Sequence, residues 1–539
     1  MKIKGKQITG LCLVLFFAVC VYAPLASMLA RITPEGFGSV IRSPQFLPAL
    51  WTSVSSAFAA AVISLLLSLA AAWCIERTGM PAKPLFRTLF ILPMLVPSIS
   101  HALGLVALLG QNGLLTNLLR LEDSIYGFWG IVAGSVMYSF PVSFVMFCGI
   151  LQYEDGTAHK AARVMGIPPL RRFTGLTLPY LKRTIISAFF ALFTMVITDY
   201  GVPMLVRGKC TTLSVMMYDR AVSMMDYGSG SVIGALLLLP ALAAFLVDLL
   251  NPEKAHSGFV TEPVEPAGHP LANAAACGLC GALGLCVLAP IAAFAMMSAE
   301  KKYPVDPAFT LEHIQRTFTR GAGGYLLNSV VYALLAALFG TLTAFCCAYL
   351  TARGQGRLRK GLHLVSITSM AIPGIVLGLS YVIFFHGTPL YGTILIVVLA
   401  NAVHFFSSPY LMMYNTMEKL NPNLEDVGLC LGVGRAAVIR DIIFPKVHGT
   451  VYEMFAYFFV NSMMTISAVS FLVPPAPKPV ALMINQFESQ LLIESAAFVS
   501  LMILGVNLAL KGIVWLLRRR QAGRSARREG GREGGRRAR

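Results

Sequence analysis

Lys160-Ala161-Ala162-Arg163-Val164-Met165-Gly166, continuing to Leu176-Thr177-Leu178-Pro179, has a second copy in Asp426-Val427-Gly428-Leu429-Cys430-Leu431-Gly432, continuing to Ile442-Ile443-Phe444-Pro445. In each copy thirteen positions separate the glycine from the proline, and the loop lies between the fourth and fifth apolar stretches of its half. Helix formers such as Lys160-Ala-Ala-Arg163 and Leu424-Glu425-Asp426 predict helical turns. The glycine then permits a tight turn or a close backbone approach, and the proline suits the first position of the next helix. The spacing predicts a helix-turn-helix at the membrane face, twice. A single amphipathic helix there would be explained by lying on lipid; two at equivalent places form matched handles for a two-fold symmetric partner.

Hydrophobic residues make up 56% of the 539 positions and charged residues 13%, with a mean hydropathy of +0.70. Soluble domains carry about 25% charged residues, so this chain belongs in a membrane. Apolar segments near the ~20 residues that cross a bilayer core fall at 8–30, 52–74, 88–110, 129–151, 184–206 and 232–250. A second set falls at 271–297, 327–351, 362–385, 392–414, 450–473 and 496–517. The expectation is an all-α membrane protein of twelve spans, six in each half.

Basic residues in short loops mark the cytoplasmic side. They are Lys2, Lys4 and Lys6; Arg77, Lys83 and Arg87; Lys160, Arg163, Arg171 and Arg172; Arg353, Arg357, Arg359 and Lys360; and Arg435, Arg440 and Lys446. Both termini are expected inside, and the first span is too long for a cleaved signal. Much of the net charge of +18 sits in residues 518–539, a basic tail expected to be disordered and to touch anionic lipid, so no nucleic-acid partner is called for. Cys277-Gly-Leu-Cys280 has a redox or zinc spacing, but in an apolar segment without neighbouring histidines it reads as small packing residues.

The halves are internal repeats. An offset of 276 pairs Thr52-Ser-Val-Ser-Ser-Ala57 with Asn328-Ser-Val-Val-Tyr-Ala333, Arg77 with Arg353, and Val96-Pro97 with Ile372-Pro373; it falls to 266 at the two loops. Loop deletions explain the steps. The predicted organisation is a first six-span unit over 1–250, a polar cytoplasmic linker over 251–270, a second unit over 271–517 and the tail. Units of equal topology are related by an axis along the membrane normal, which places a shared path at the axis. Pro97 and Pro373 predict matched kinks in the third span of each half.

The paired loops resemble the EAA loop of binding-protein-dependent ABC importer permeases, in which Glu-Ala-Ala is followed by three residues, Gly, nine residues and Ile-x-Leu-Pro. The first copy keeps Ala161, Ala162, Gly166, Leu178 and Pro179, with Lys160 in the glutamate place. The second keeps Asp426, preceded by Glu425, and Gly432, Ile442 and Pro445. The resemblance implies that each loop seats one of two cytoplasmic ATPase subunits, which bind ATP and Mg, and that a periplasmic binding protein delivers the solute. No Gly-x4-Gly-Lys-Ser/Thr phosphate loop is present, so the chain is expected to be a transport subunit, not an enzyme, with no cofactor or metal of its own, in a bacterial inner membrane.

Ionisable residues within spans mark candidate pathways. Asp199, in Thr198-Asp-Tyr-Gly-Val-Pro203, either lines the path beside Tyr200 or caps a broken helix. The equivalent eleventh span carries Asn461, Thr465 and Ser467, with Asn461 and Thr465 on one helical face. His101, His404 and Tyr381 read as packing or hydrogen-bonding residues. The stretches around Asp199 and Tyr457–Phe471 look like fused permeases for ferric iron or 2-aminoethylphosphonate, and Lys301-Lys-Tyr-Pro-Val-Asp306 leans toward the phosphonate branch. A twelve-span ion-coupled carrier and a non-transporting scaffold are the rivals; the first would need more carboxylates in the bundle, and the second leaves the paired loops unexplained.

Overall fold

The computed structural model describes residues 2–122, 124–250, 262, 264–266, 268–354, 356–421, 423–472 and 478–537. Among them nine helices are long and apolar enough to cross a membrane, and two bent helix pairs raise the number to eleven. The first unit supplies Ile8–Leu29, Phe46–Arg77, Ser98–Leu119, Phe128–Gln152, Pro169–Ile197 and Tyr227–Val247. The second supplies Pro270–Ala299, Ala322–Arg353, the two bent pairs, and Ile493–Arg520. The place of the eleventh predicted span is taken by Phe444–Met464, whose Lys446, His448, Glu453 and Asn461 leave it less apolar than the others. Much of the linker, including Pro252, Glu253 and Pro263, lies outside the described residues.

Small residues set the helix packing. The second span buries Ala57, Ala60, Ala61, Ser64, Ser68, Ala71 and Ala72 along one side, where it packs on the fourth span. Ser64 and Ser139 hydroxyls meet there at 2.8 Å. The eighth span repeats this with Ala333, Ala336, Ala337, Gly340, Ala344 and Ala348, facing the eleventh. Small faces allow close backbone approach where lipid supplies no hydrophobic drive between helices. Large apolar side chains such as Trp51, Leu66, Leu338 and Leu342 point outward instead, as lipid requires.

The prolines expected to kink the third spans break them. Lys83–Ile91 passes through a 3-10 turn, Leu92–Leu95, and restarts after Pro97 as Ser98–Leu109. Gly356–Thr368 passes through Ser369–Ala371 and restarts after Pro373 as Gly374–Phe385, turned by 106°. The residue before each proline is extended, since proline disfavours the helical region for its predecessor. A kink keeps helical geometry through that residue; here it is lost.

The two units exchange their first helices. Ala23–Leu29 of the first span packs on Gly374–Phe385 of the second unit, and Pro270–Ala299 packs on Ser98–Leu109 and Phe46–Arg77 of the first. Tyr381 donates its hydroxyl to the Cys20 carbonyl at 2.6 Å across one contact. The predicted boundaries at 250 and 271 follow the order of the sequence, while each packed body borrows a helix from the other half of the chain.

A two-stranded antiparallel sheet, Glu300–Lys302 with Asp306–Phe309, follows the seventh span and pairs Glu300 with Phe309 and Lys302 with Asp306. At the other end the last helix runs from Ile493 to Arg537, where a disordered tail is expected from composition. Once the twelfth span has nucleated a helix, each added residue needs only propagation, and Arg, Ala, Gln and Glu propagate well.

Candidate functional site: paired loop helices and a central cavity

Both loops fold alike, element by element. Gly156–Val164 matches Asn423–Cys430, and Pro169–Arg172 matches Arg435–Val438; π turns follow at Phe173–Thr177 and Ile439–Ile443, then the long helices from Leu178 and Phe444. Gly166 and Gly432 each have φ of 72°, the left-handed conformation that ends helices on glycine. The Ile167 amide donates to the Ala162 carbonyl at 3.0 Å, and Val433 to Gly428 at 2.8 Å, closing the same cap. Space around Gly166 and Gly432 is open, so the tight turn, not a close approach, requires glycine. Gly428 replaces the alanine for another reason: a Cβ there would sit 2.6 Å from Cγ2 of Val438.

Pro179 and Pro445 occupy the second position of the long helices, not the first as the spacing predicts. Helical geometry already enters through the π turn, where Leu178 donates to Phe173 and Phe444 to Ile439. A proline lacks the N–H that would bond back into the preceding turn, so that turn opens by one residue.

Lys160, Ala161, Gly166, Leu178 and Pro179 are exposed, as are Asp426, Gly432 and Pro445; Ile442 is half-buried and Ala162 buried. The Lys160 ammonium lies 2.5 Å from Glu262 and 3.6 Å from Glu265 of the linker, and the Glu262 hydrogen bond holds it above its usual range. Glu425 does not belong with the exposed set. It is buried, accepting from the Tyr349 hydroxyl at 3.0 Å, with Arg353 Nε at 3.4 Å. Helical phase explains this: Glu425 and Asp426 are neighbours in sequence and point about 100° apart.

The pathway candidates meet at the centre. Asp199, Tyr200, Asn461, Thr465 and Ser467 all line one cavity of about 330 Å³. A neighbouring cavity of about 490 Å³ shares Tyr138, Asp199, His404, Phe405, Tyr457 and Ser467 with it. Both units contribute. Four chain breaks converge here: Pro97–Ser98 and Pro373–Gly374 from the third spans, and the ends of the fifth spans at Ile197 and Met464. Irregular backbone at membrane depth is tolerated where it is buried or lines a cavity.

Asp199 combines the two roles the sequence leaves open. Its carboxylate accepts from the Val202 amide at 2.9 Å and from Ser98, and it lines both cavities. Thr465, its counterpart in the repeat, does not continue the helical face of Asn461; the helix ends at Met464 and Thr465 is its C-cap, with its amide bonded to the Asn461 carbonyl at 2.9 Å. Tyr200 and Ser470 hydroxyls bond across the units. Tyr138 and Tyr457 line both cavities without being marked as pathway residues by the sequence pattern; Tyr457 stands four before Asn461, a spacing that puts the two on one helical face. His404 lines the cavity, while His101 bonds the Pro97 carbonyl at 3.2 Å. Among the described residues no group of three or more His, Cys, Asp or Glu is arranged to hold a metal.

Two repeated helical units around adjoining cavities that both units line, each carrying the same loop, define a membrane transport subunit. The chain belongs to the family of binding-protein-dependent transport system inner membrane components, which it matches twice, over residues 64–255 and 336–523. It is therefore the permease of an ABC importer, a multi-pass inner-membrane protein. It is 23% identical over 502 residues to the ferric transport system permease protein FbpB of Actinobacillus pleuropneumoniae, covering 87% of this chain and 72% of that one. A ferric transport system permease of Haemophilus influenzae, FbpB 1, is 24% identical over 495 residues, covering 86% and 77%. The sulfate transport system permease protein CysT of Escherichia coli is 25% identical over 244 residues, covering 44% and 87%. A solved bacterial alginate ABC transporter, in complex with an alginate pentasaccharide-bound periplasmic protein, aligns with a TM-score of 0.39 at 16% identity, covering 46% of this chain and 91% of that one.

Proposed function

We propose that this permease imports ferric iron, with each loop helix seated in one of two copies of a cytoplasmic ATPase subunit and a periplasmic binding protein delivering the cargo. ATP and Mg belong to those subunits, and both termini face the cytoplasm. The observation that carries the reading is the common loop backbone, with φ of 72° at Gly166 and at Gly432. Lys160 and Asp426 differ in charge at the same position, so shape is what the two loops share. A common shape suits two identical grooves. Nucleotide binding that closes the ATPase pair would move both handles together and shift the cavity between inward and outward access.

The cavity and the relatives support this cargo. Asp199 is the one carboxylate among the described lining residues, which include hydroxyls and His404 but neither lysine nor arginine. A phosphonate needs a cationic partner when it leaves water, whereas a cation is served by a carboxylate and oxygen ligands. Two relatives spanning most of the chain are named as ferric transport permeases. Lys301–Asp306, which leans toward 2-aminoethylphosphonate, falls in the two-stranded sheet and not in the cavity lining.

The test is reconstitution of the chain in proteoliposomes with its ATPase subunits and binding protein. Ferric iron uptake should require ATP and resist excess 2-aminoethylphosphonate. Asp199→Asn keeps an acceptor for Val202 while removing the charge, and should lower uptake about tenfold, as loss of a charged hydrogen-bonding partner does. Uptake of the phosphonate and not of iron would overturn the cargo. Uptake driven by an ion gradient without ATPase subunits would overturn the role of the loops.

A further inference from the structure

Arg77 and Arg353 occupy the last turn of the second and eighth spans, at matched places in the repeat. Both are tied to the start of a loop. Arg77 donates to the Leu151 carbonyl at 2.9 Å and to the Glu154 carboxylate at 2.5 Å, and the other oxygen of Glu154 accepts from His159 Nε2 at 2.8 Å. Arg353 donates to the Leu420 carbonyl at 3.0 Å and lies 3.4 Å from Glu425. His159 and Glu425 stand at the same position in their loop helices, seven residues before the matched Gly166 and Gly432. The wiring differs, yet the connection is the same: a guanidinium at the end of a span is paired in charge with the loop helix, by direct ion pair in the second unit and through Glu154 in the first.

The outer ends of the same two spans are also tied, again at matched places. Ser53 accepts from the Leu213 amide at 2.7 Å, and Ser329 from the Val480 amide at 2.6 Å. Leu213 and Val480 lie beyond the broken ends of the fifth spans, on the far side of the cavity-lining segments. From Ser53 to Arg77 an unbroken helix covers about 36 Å, more than the ~30 Å of the bilayer core. A helix secured at both ends moves both ends together.

We propose that the second and eighth spans are connecting rods that carry motion of the loop helices to the outer segments beyond the cavity, with Arg77 and Arg353 as inner joints and Ser53 and Ser329 as outer ones. A buried ion pair is a poor stabiliser compared with apolar packing, so two differently wired pairs at one place indicate a connection kept for transmission. These are positioning residues. The inference rests on the loops seating ATPase subunits.

The experiment uses the full chain in proteoliposomes with its ATPase subunits and binding protein, reading subunit retention, ATP hydrolysis, and ferric iron moved per ATP. Glu154→Gln and Glu425→Gln should each retain the ATPase and its hydrolysis while iron moved per ATP falls about tenfold, within the range of coupling between sites. Ser53→Ala with Ser329→Ala should act in the same direction from the other end. Adding His159→Glu to Glu154→Gln recreates the wiring of the second unit and should restore iron per ATP to within about twofold. A purely structural role predicts equal loss of hydrolysis and uptake, with no rescue by His159→Glu, and either result would overturn the rods. Should Glu154→Gln fail to accumulate in the membrane, the Glu425→Gln and serine variants decide the matter alone. Failure of the unaltered chain to retain any ATPase is a separate outcome, which overturns the reading of the loops themselves.

Discussion

Gly166 and Gly432 show how little of a residue is needed to hold a turn. Nothing lies within 4 Å of the Cβ that either would carry, yet both sit at φ of 72°. Alanine there meets no neighbour and is strained only by its own backbone, at about 1 kcal/mol or more. Gly166→Ala and Gly432→Ala should therefore speed amide exchange in Gly156–Val164 and Asn423–Cys430 respectively and weaken retention of the proposed ATPase partner, while Asn, which tolerates the left-handed region, should cost less. Equal behaviour of Ala and Asn would show that the turn does not limit the loop. Asp199 makes the complementary point, since one carboxylate caps Gly201–Val206 through Val202 and also supplies the cavity with its charge.

At the level of elements, the breaks matter more than the helices. Gly374 restarts the third span of the second unit, and a Cβ on it would stand 2.5 Å from Ser467 Oγ and 3.0 Å from His404 Nε2. Gly374→Ala should overpack this wall by about 1–3 kcal/mol and lower the proposed iron uptake more than ATP hydrolysis by the proposed partner; Ser467→Ala in the same chain should recover part of the loss, as a double-mutant cycle measures. The spans, the repeat and the loop helices were legible because hydropathy, the 276 and 266 offsets and the glycine-to-proline spacing all leave marks in the sequence. Pro97 and Pro373 located the breaks but not their depth, since proline announces a lost hydrogen bond without saying whether the neighbours will bend or separate. Glu425 and Asp426 read alike until the helical phase was fixed by Tyr349 and Arg353. The eleventh helix stops at Met464 because Thr465 turns extended, and no apolar count marks that position.

Across the whole molecule, the helix exchange is the feature that composition conceals. The first and seventh spans are apolar nearly all round, so nothing in their pattern names a neighbour. Because each body contains a helix from the other repeat, severing the chain within 251–261 should still give two fragments that co-purify when expressed together. Removing residues 1–30 from the first fragment should weaken that association by exposing Gly374–Phe385, whose Ile375, Val376, Leu379 and Tyr381 are fully buried, while Pro270–Ala299 still packs on the first unit. Fragments that associate equally well without residues 1–30 would show the exchanged helix to be dispensable. The same exchange sets a timetable for biogenesis. The first span leaves the ribosome some 350 residues before the surface it finally rests on, a delay on the order of twenty seconds or more at ordinary elongation rates. Throughout that interval the newborn membrane must shelter a helix whose permanent berth has yet to be translated.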